Sequence, residues 1–123
     1  MIVSLPGTWQ KMLQQNLEDH PFVEVDNLAS GALSALALVK NQNPDFVLID
    51  SSIAFDDVDV LVQNLKEIKP DIQVIVLVDT SYMLKRIRRK GADYAISLCN
   101  YEEAIGEVLQ KIYKKFENVA KTN

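Results

Sequence analysis

The chain has 123 residues, 48% hydrophobic and 24% charged, enough for one globular domain that buries roughly two-thirds of its unfolded surface. Thirteen Lys plus Arg against seventeen Asp plus Glu leave a net charge of −4, the wrong sign for a general nucleic-acid-binding surface. One cysteine and one histidine exclude an internal disulfide and any metal site built on a His pair or a Cys/His cluster.

Apolar runs that read as strands recur about every 20 to 28 residues, with helical spacing between them, the rhythm of repeated βα units. Residues 1–5 form the first strand and end at Pro6-Gly7. Thr8 is expected to cap the first helix, on which Trp9, Met12, Leu13 and Leu17 share one face; Trp9 with Met12 and Leu13 reads most simply as core packing and otherwise as a ligand pocket. Residues 22–25 alternate and read as the second strand. Residues 32–39 are apolar nearly all round except at Ser34, so this helix is expected either in a crowded place, the blander reading, or carrying an interface face. Asn43-Pro44-Asp45 closes it, because proline cannot continue a helix.

The third strand, residues 46–49, and the fourth, residues 72–78, are apolar on both faces apart from Gln73, as central parallel strands should be. Between them Leu61, Leu65 and Ile68 mark a third amphipathic helix, and Lys69-Pro70-Asp71 ends it. A fourth helix is expected over residues 81–90, stopped by Gly91. Residues 94–98 form a fifth strand, and the final helix, residues 101–116, uses Ala104, Ile105, Val108, Leu109 and Ile112. The polar residues 117–123 are expected to fray, leaving a domain over 1–118 and a tail over 119–123. The longest wholly apolar runs, 35–39 and 74–78, are far short of a membrane span, and the start lacks a signal-peptide pattern. The expectation is a reduced, cytoplasmic protein.

Five βα units in this order predict an α/β fold of the flavodoxin-like kind: a doubly wound, five-stranded parallel sheet of order 2-1-3-4-5 with five flanking helices. Sites on such sheets form outside the carboxyl ends of the strands. Three stretches carry a more specific likeness: Pro44-Asp45-Phe46-Val47-Leu48-Ile49-Asp50, Lys69-Pro70-Asp71-Ile72-Gln73-Val74-Ile75-Val76-Leu77, and Gly91-Ala92-Asp93 with the helix-opening Tyr101-Glu102-Glu103. Through them the chain resembles, over nearly its whole length, the receiver domain of bacterial two-component response regulators.

That resemblance implies a phospho-acceptor at Asp50. A carboxylate acts as nucleophile toward a phosphoryl group only where cationic groups neutralise the developing charge. The family supplies them through magnesium, held by an acidic pair after the first strand, and a lysine after the fifth, with a Thr or Ser at the end of the fourth. The matching positions here are Ser4 and Leu5, Leu98, and Val78, with Cys99 where proline usually follows and Ala95 at the usual aromatic position beside Tyr94. A slip of two residues would instead bring Thr80 into the hydroxyl role. Magnesium needs oxygen ligands, which Leu5 cannot give, and each lost electrostatic donor costs roughly 2.7–4 kcal/mol of transition-state stabilisation.

The expectation is therefore a degenerate receiver, or pseudo-receiver: not an enzyme, without a cofactor or metal, and signalling through protein contacts. One alternative is a single-domain response regulator still phosphorylated at Asp50 by a histidine kinase, with weak magnesium binding. Another is a small ligand-binding module, against which Leu5, Val78 and Leu98 predict a greasy, closed pocket.

Asp50 also reads as a strand-end carboxylate that caps a loop or accepts backbone N–H groups. Asp79 either shares a cation with Asp50 or is an exposed loop residue; Asp56 and Asp57 follow the third strand, and by the resemblance Asp57 matches a commonly acidic position that opens the third helix near its positive end, a structural role. The run Lys85-Arg86-Ile87-Arg88-Arg89-Lys90 sets five cations in six residues. It reads either as a solvated helix end or as an interaction patch. By the resemblance, the fourth helix, fifth strand and fifth helix form the common homodimer or partner surface, and a histidine kinase or downstream regulator is the expected class of protein partner. No aromatic platform accompanies the cations, which argues against nucleic acid. Ser4, Ser97 and Cys99 have no histidine at a spacing that suggests a triad, since His20 lies beside Pro21.

Overall fold

The computed structural model describes residues 1–53, 58–79, 87 and 91–122. The elements follow in the order β1 (Ile2–Val3), α1 (Thr8–Glu18), β2 (Leu28–Ala29), α2 (Ala32–Gln42), β3 (Phe46–Asp50), α3 (Val58–Ile68), β4 (Gln73–Val78), β5 (Tyr94–Ser97) and α4 (Tyr101–Thr122), with single 3-10 turns at Ser51–Ile53 and Leu98–Asn100. The five strands form one sheet of order β2-β1-β3-β4-β5, parallel throughout. Four helices lie among the described residues against the five that the sequence predicts; of the one expected over 81–90 only Ile87 is described, helical and buried in the core.

The period of two in each strand divides the core. Val3, Val47, Ile49, Val74, Val76 and Val78 face α2 and α3, where they meet Ala35, Val39, Leu61, Val62 and Leu65. Ile2, Leu48, Ile75, Leu77 and Ile96 face α1 and α4, against Leu13, Leu17, Ile105, Leu109 and Ile112. Nearly all of these side chains are fully sealed from water, each worth about 1.5–3 kcal/mol of transfer free energy. Gln73, the polar exception in β4, sits at the strand's start, where its Oε1 accepts from Lys115 Nζ at 3.0 Å.

Turn chemistry fixes the joints. Asn43 ends α2 in the left-handed conformation (φ 52°, ψ 55°), which asparagine tolerates, and Pro44 follows. Lys69 Nζ then donates to the Pro44 carbonyl at 2.8 Å, tying the end of α3 to the entry of β3. Gly91 has φ 108°, a conformation that favours glycine. Two residues on, Asp93 Oδ2 accepts from Lys66 Nζ at 2.6 Å and from the Val74 backbone N–H at 2.8 Å.

Several expectations need correction. The second strand is Leu28–Ala29, whereas residues 22–25 form none. The Val23 N–H instead closes a turn onto the His20 carbonyl, and Phe22 stacks on Tyr113 with centroids 4.6 Å apart. Aromatic packing against α4 claims the side chains that alternation assigned to a strand. Gly7 rather than Thr8 is the N-cap of α1, and no side chain caps that helix. The α2 surface is not crowded all round, because Leu33 is 86% exposed. Leu98 leaves the sheet for the 3-10 turn, and α4 continues through Thr122 past the expected end at 116. Among the described residues no helix is long and apolar enough to cross a membrane.

Candidate functional site

The parallel sheet brings the ends of β1, β3, β4 and β5 to one edge, and with them Ser4, Asp50, Val78 and Leu98. Asp50 closes β3 two residues after Leu48, so its carboxylate turns to the α1 side of the sheet. It is only 6% exposed. The Trp9 indole N–H donates to its Oδ2 at 2.9 Å, while its Oδ1 accepts from the Ser52 backbone N–H at 3.0 Å and the Ser52 hydroxyl at 2.8 Å. Both oxygens are therefore engaged by neutral donors. A carboxylate held in this way is a stable acceptor, and no described cation stands beside it to neutralise an incoming phosphoryl group.

The supporting positions behave differently from one another. Ser4 is fully buried, its hydroxyl donating to the Leu5 carbonyl at 3.3 Å and its own carbonyl accepting from Gln10 Nε2 at 3.2 Å. Leu5 is 61% exposed and closes no pocket. Val78 is fully buried, and Leu98 packs half-buried beside the α1 and α4 core. The expected greasy, closed pocket is thus absent at these residues, because Leu5 leaves it for solvent. Asp79 is exposed at the end of β4. Among the described residues no three His, Cys, Asp or Glu side chains gather as metal ligands. The expected interaction patch of Lys85, Arg86, Arg88, Arg89 and Lys90 lies outside the described residues, as do Thr80, Asp56 and Asp57.

Trp9 is the site residue that periodicity misses. Its spacing with Met12 and Leu13 reads as core, yet it stands 37% exposed and Met12 49% exposed. Its ring lies 6.4 Å from that of Tyr101 at a tilt of 59°. The signal available was positional: Trp9 follows the turn after β1, at the edge where Asp50 ends β3.

On its other side Trp9 forms the wall of an open cleft of about 600 Å³ between α1 and the start of α4, with Met12 and Asn16 on α1 and Leu98, Tyr101 and Glu103 opposite. Tyr101 is 5% exposed. Its hydroxyl is sealed without a partner at hydrogen-bond geometry. Burial pushes this phenol up to about 12, with the Asn16 side chain opposing and the Glu102 carboxylate adding to the shift.

No protein-family model matches the sequence, and no curated protein matches it. Solved structures do match in fold. A protein described as pilus assembly-related from Burkholderia pseudomallei superposes with a TM-score of 0.73 at 14% identity, covering 90% of this chain and 85% of its own. The response regulator domain of Thermotoga maritima CheB gives 0.73 at 17%, covering 92% of this chain and 91% of its own. The fold is that of a response regulator receiver domain. NtrX from Brucella abortus, solved with ADP, gives a TM-score of 0.79 at 19% identity over 98% of this chain, which spans 27% of NtrX. Asp50 ends β3 at the carboxyl edge of this sheet, where Trp9 and Ser52 donate to its two oxygens.

Proposed function

We propose that this chain is a receiver-fold signalling module that works through protein contacts and without a magnesium-dependent aspartyl-phosphate switch. It is not an enzyme on this reading, and it holds no cofactor. The observation that carries the reading is the engagement of both Asp50 carboxylate oxygens by the neutral donors of Trp9 and Ser52, with Ser4 and Leu5 where the receiver resemblance calls for metal-binding acids. Metal or phosphoryl binding would have to compete with these donors and proceed without carboxylate ligands at those two positions. The partner is a protein, of the kinase or downstream-regulator class that receiver domains meet.

Asp50 itself, kept at the carboxyl end of β3, favours a second reading, in which a histidine kinase still phosphorylates it. Amide NMR spectra recorded with added magnesium and then beryllofluoride, a mimic of the aspartyl phosphate, separate the two. Unchanged resonances around Asp50, Ser52 and Trp9 are the expected result. Metal-dependent shifts centred on Asp50 and spreading into β4 and β5 would overturn the proposal in favour of the phospho-switch.

A further inference from the structure

We infer that two copies of this chain associate through the outer faces of α2 and α3, related by a two-fold axis that runs along the helices. This rests on the contact-based reading above and names a surface and its occupant. The surface is not the one on the fifth strand and last helix that the receiver resemblance implies. α2 and α3 follow parallel strands and cover the same face of the sheet, so they run back side by side in one direction. Leu33, Ala37 and Lys40 form one exposed row on α2. Val60, Asn64 and Glu67 form the matching row on α3, with Asn64 half-buried. Both rows step by four and then three residues, which keeps each on a single helix face.

The two rows complement each other from end to end. Leu33 is 86% exposed, the highest value among the large hydrophobic side chains described, and Val60 is 54% exposed. Both lie in the first turn of their helices. In the last turns Lys40 and Glu67 are exposed, carry opposite charge and form no ion pair with a described residue. Neither has an opposite charge three or four residues away on its own helix. Lys40 suits the negative end of α2, but Glu67 opposes the dipole of α3, and no local rule asks for a leucine at 33. A rotation about an axis parallel to the helices lays the α2 row of each copy on the α3 row of the other without reversing its direction. Leu33 then meets the other copy's Val60, the small Ala37 lets the backbones approach beside Asn64, and Lys40 meets the other copy's Glu67, each contact formed twice. Each helix has 11 residues, so the face is about 16 Å long and about 20 Å wide, below the roughly 800 Å² per partner of standard interfaces. The dimer is accordingly a weak one.

Sedimentation equilibrium of the whole chain from about 10 μM to about 1 mM measures the association, and a Kd of about 100 μM is expected. Leu33→Ser should weaken it more than about tenfold, because each dimer loses two apolar contacts. Lys40→Glu and Glu67→Lys should each weaken it about fivefold, the second even though it reduces the net negative charge that holds copies apart. The two reversals combined restore the pairs and should return the Kd to within about twofold of the original. Lys111→Glu, exposed on α4, should change it less than about twofold. Far-UV circular dichroism of each variant checks that these surface changes keep the fold. A chain that stays monomeric at about 1 mM, a dimer indifferent to Leu33→Ser, or a combined variant no tighter than the single ones overturns the two-fold contact and leaves the contact-based reading in place. Equal weakening by Lys111→Glu overturns it as well, in favour of a face on the last helix. A beryllofluoride response at Asp50 overturns the contact-based reading instead, whatever the state of association.

Discussion

Replacing Trp9 with Phe tests whether Asp50 is held by the indole or merely lies near it. The substitution keeps an aromatic ring beside Tyr101 and deletes one N–H, the donor 2.9 Å from Asp50 Oδ2. Hydrogen bonds to charged groups contribute about 1.5–3 kcal/mol, and the loss is larger where the orphaned partner is buried. Asp50 is 6% exposed, which argues for the full value, but Trp9 is 37% exposed, so water can reach part of the vacated space. The low end, about 1.5 kcal/mol, is the expected cost. With a urea slope of about 1–2 kcal/mol per molar for a domain of this size, the unfolding midpoint should fall by about 1 M. Far-UV circular dichroism is the readout, since the variant has no tryptophan to follow. Asp50→Ala and the double variant complete a cycle, and a coupling of about 1 kcal/mol between the two positions is expected for groups in direct contact. A midpoint unchanged in Trp9→Phe, or a coupling within error of zero, would refute the argument that the indole holds Asp50.

The Met1 ammonium is buried and donates to the Phe46 carbonyl at 3.1 Å. Desolvation pulls its pKa down to about 6, against the opposing charges of Asp26 and Asp45. Between pH 8 and pH 6 the unfolded chain binds a proton that the folded chain does not, so stability should be highest above pH 8 and fall by about 2–3 kcal/mol on acidification to below pH 6. Urea midpoints across that window measure it, and N-terminal acetylation should remove the slope. A flat profile for the free amine would contradict the burial. Asp93→Ala leaves the Val74 N–H and Lys66 without their shared acceptor and should cost about 2 kcal/mol. Lys66→Met, which spares the Val74 bond, should cost less than about 1 kcal/mol. Thermal melts of the two variants give the comparison, and a larger loss in Lys66→Met would reverse the assigned importance.

The interior of this fold was legible in the sequence because its strands obey a local rule. Residues 46–49 and 72–78 are apolar on both faces since helices cover both, and the turns at Pro44 and Pro70 bracket them. The edge was less legible. The second strand has two residues, and its Leu28 is 43% exposed, so it offers no period to read, while residues 22–25 alternate for a different reason, with Phe22 stacked on Tyr113. At the site, the resemblance located Asp50 and the altered positions around it by chain order alone. It could not locate Trp9, because the spacing that joins Trp9 to Met12 and Leu13 is blind to an indole N–H that reaches across to another strand. Leu5 misled for a similar reason: an apolar residue at a strand end forms a pocket only if the turn after it aims inward, and here it aims outward.

The carboxylate of Asp93 has a consequence for tolerance to substitution. By accepting from Val74 at the start of β4 and from Lys66 near the end of α3, it sets the phase of β5 before that strand begins, and the ladder from Ile75 with Tyr94 to Val78 with Ser97 follows from it. The start of β4, the end of α3 and the chain entering β5 are thus fastened together by one carboxylate. Substitutions between β4 and β5 that spare the buried Ile87 should therefore leave the register of the sheet unchanged.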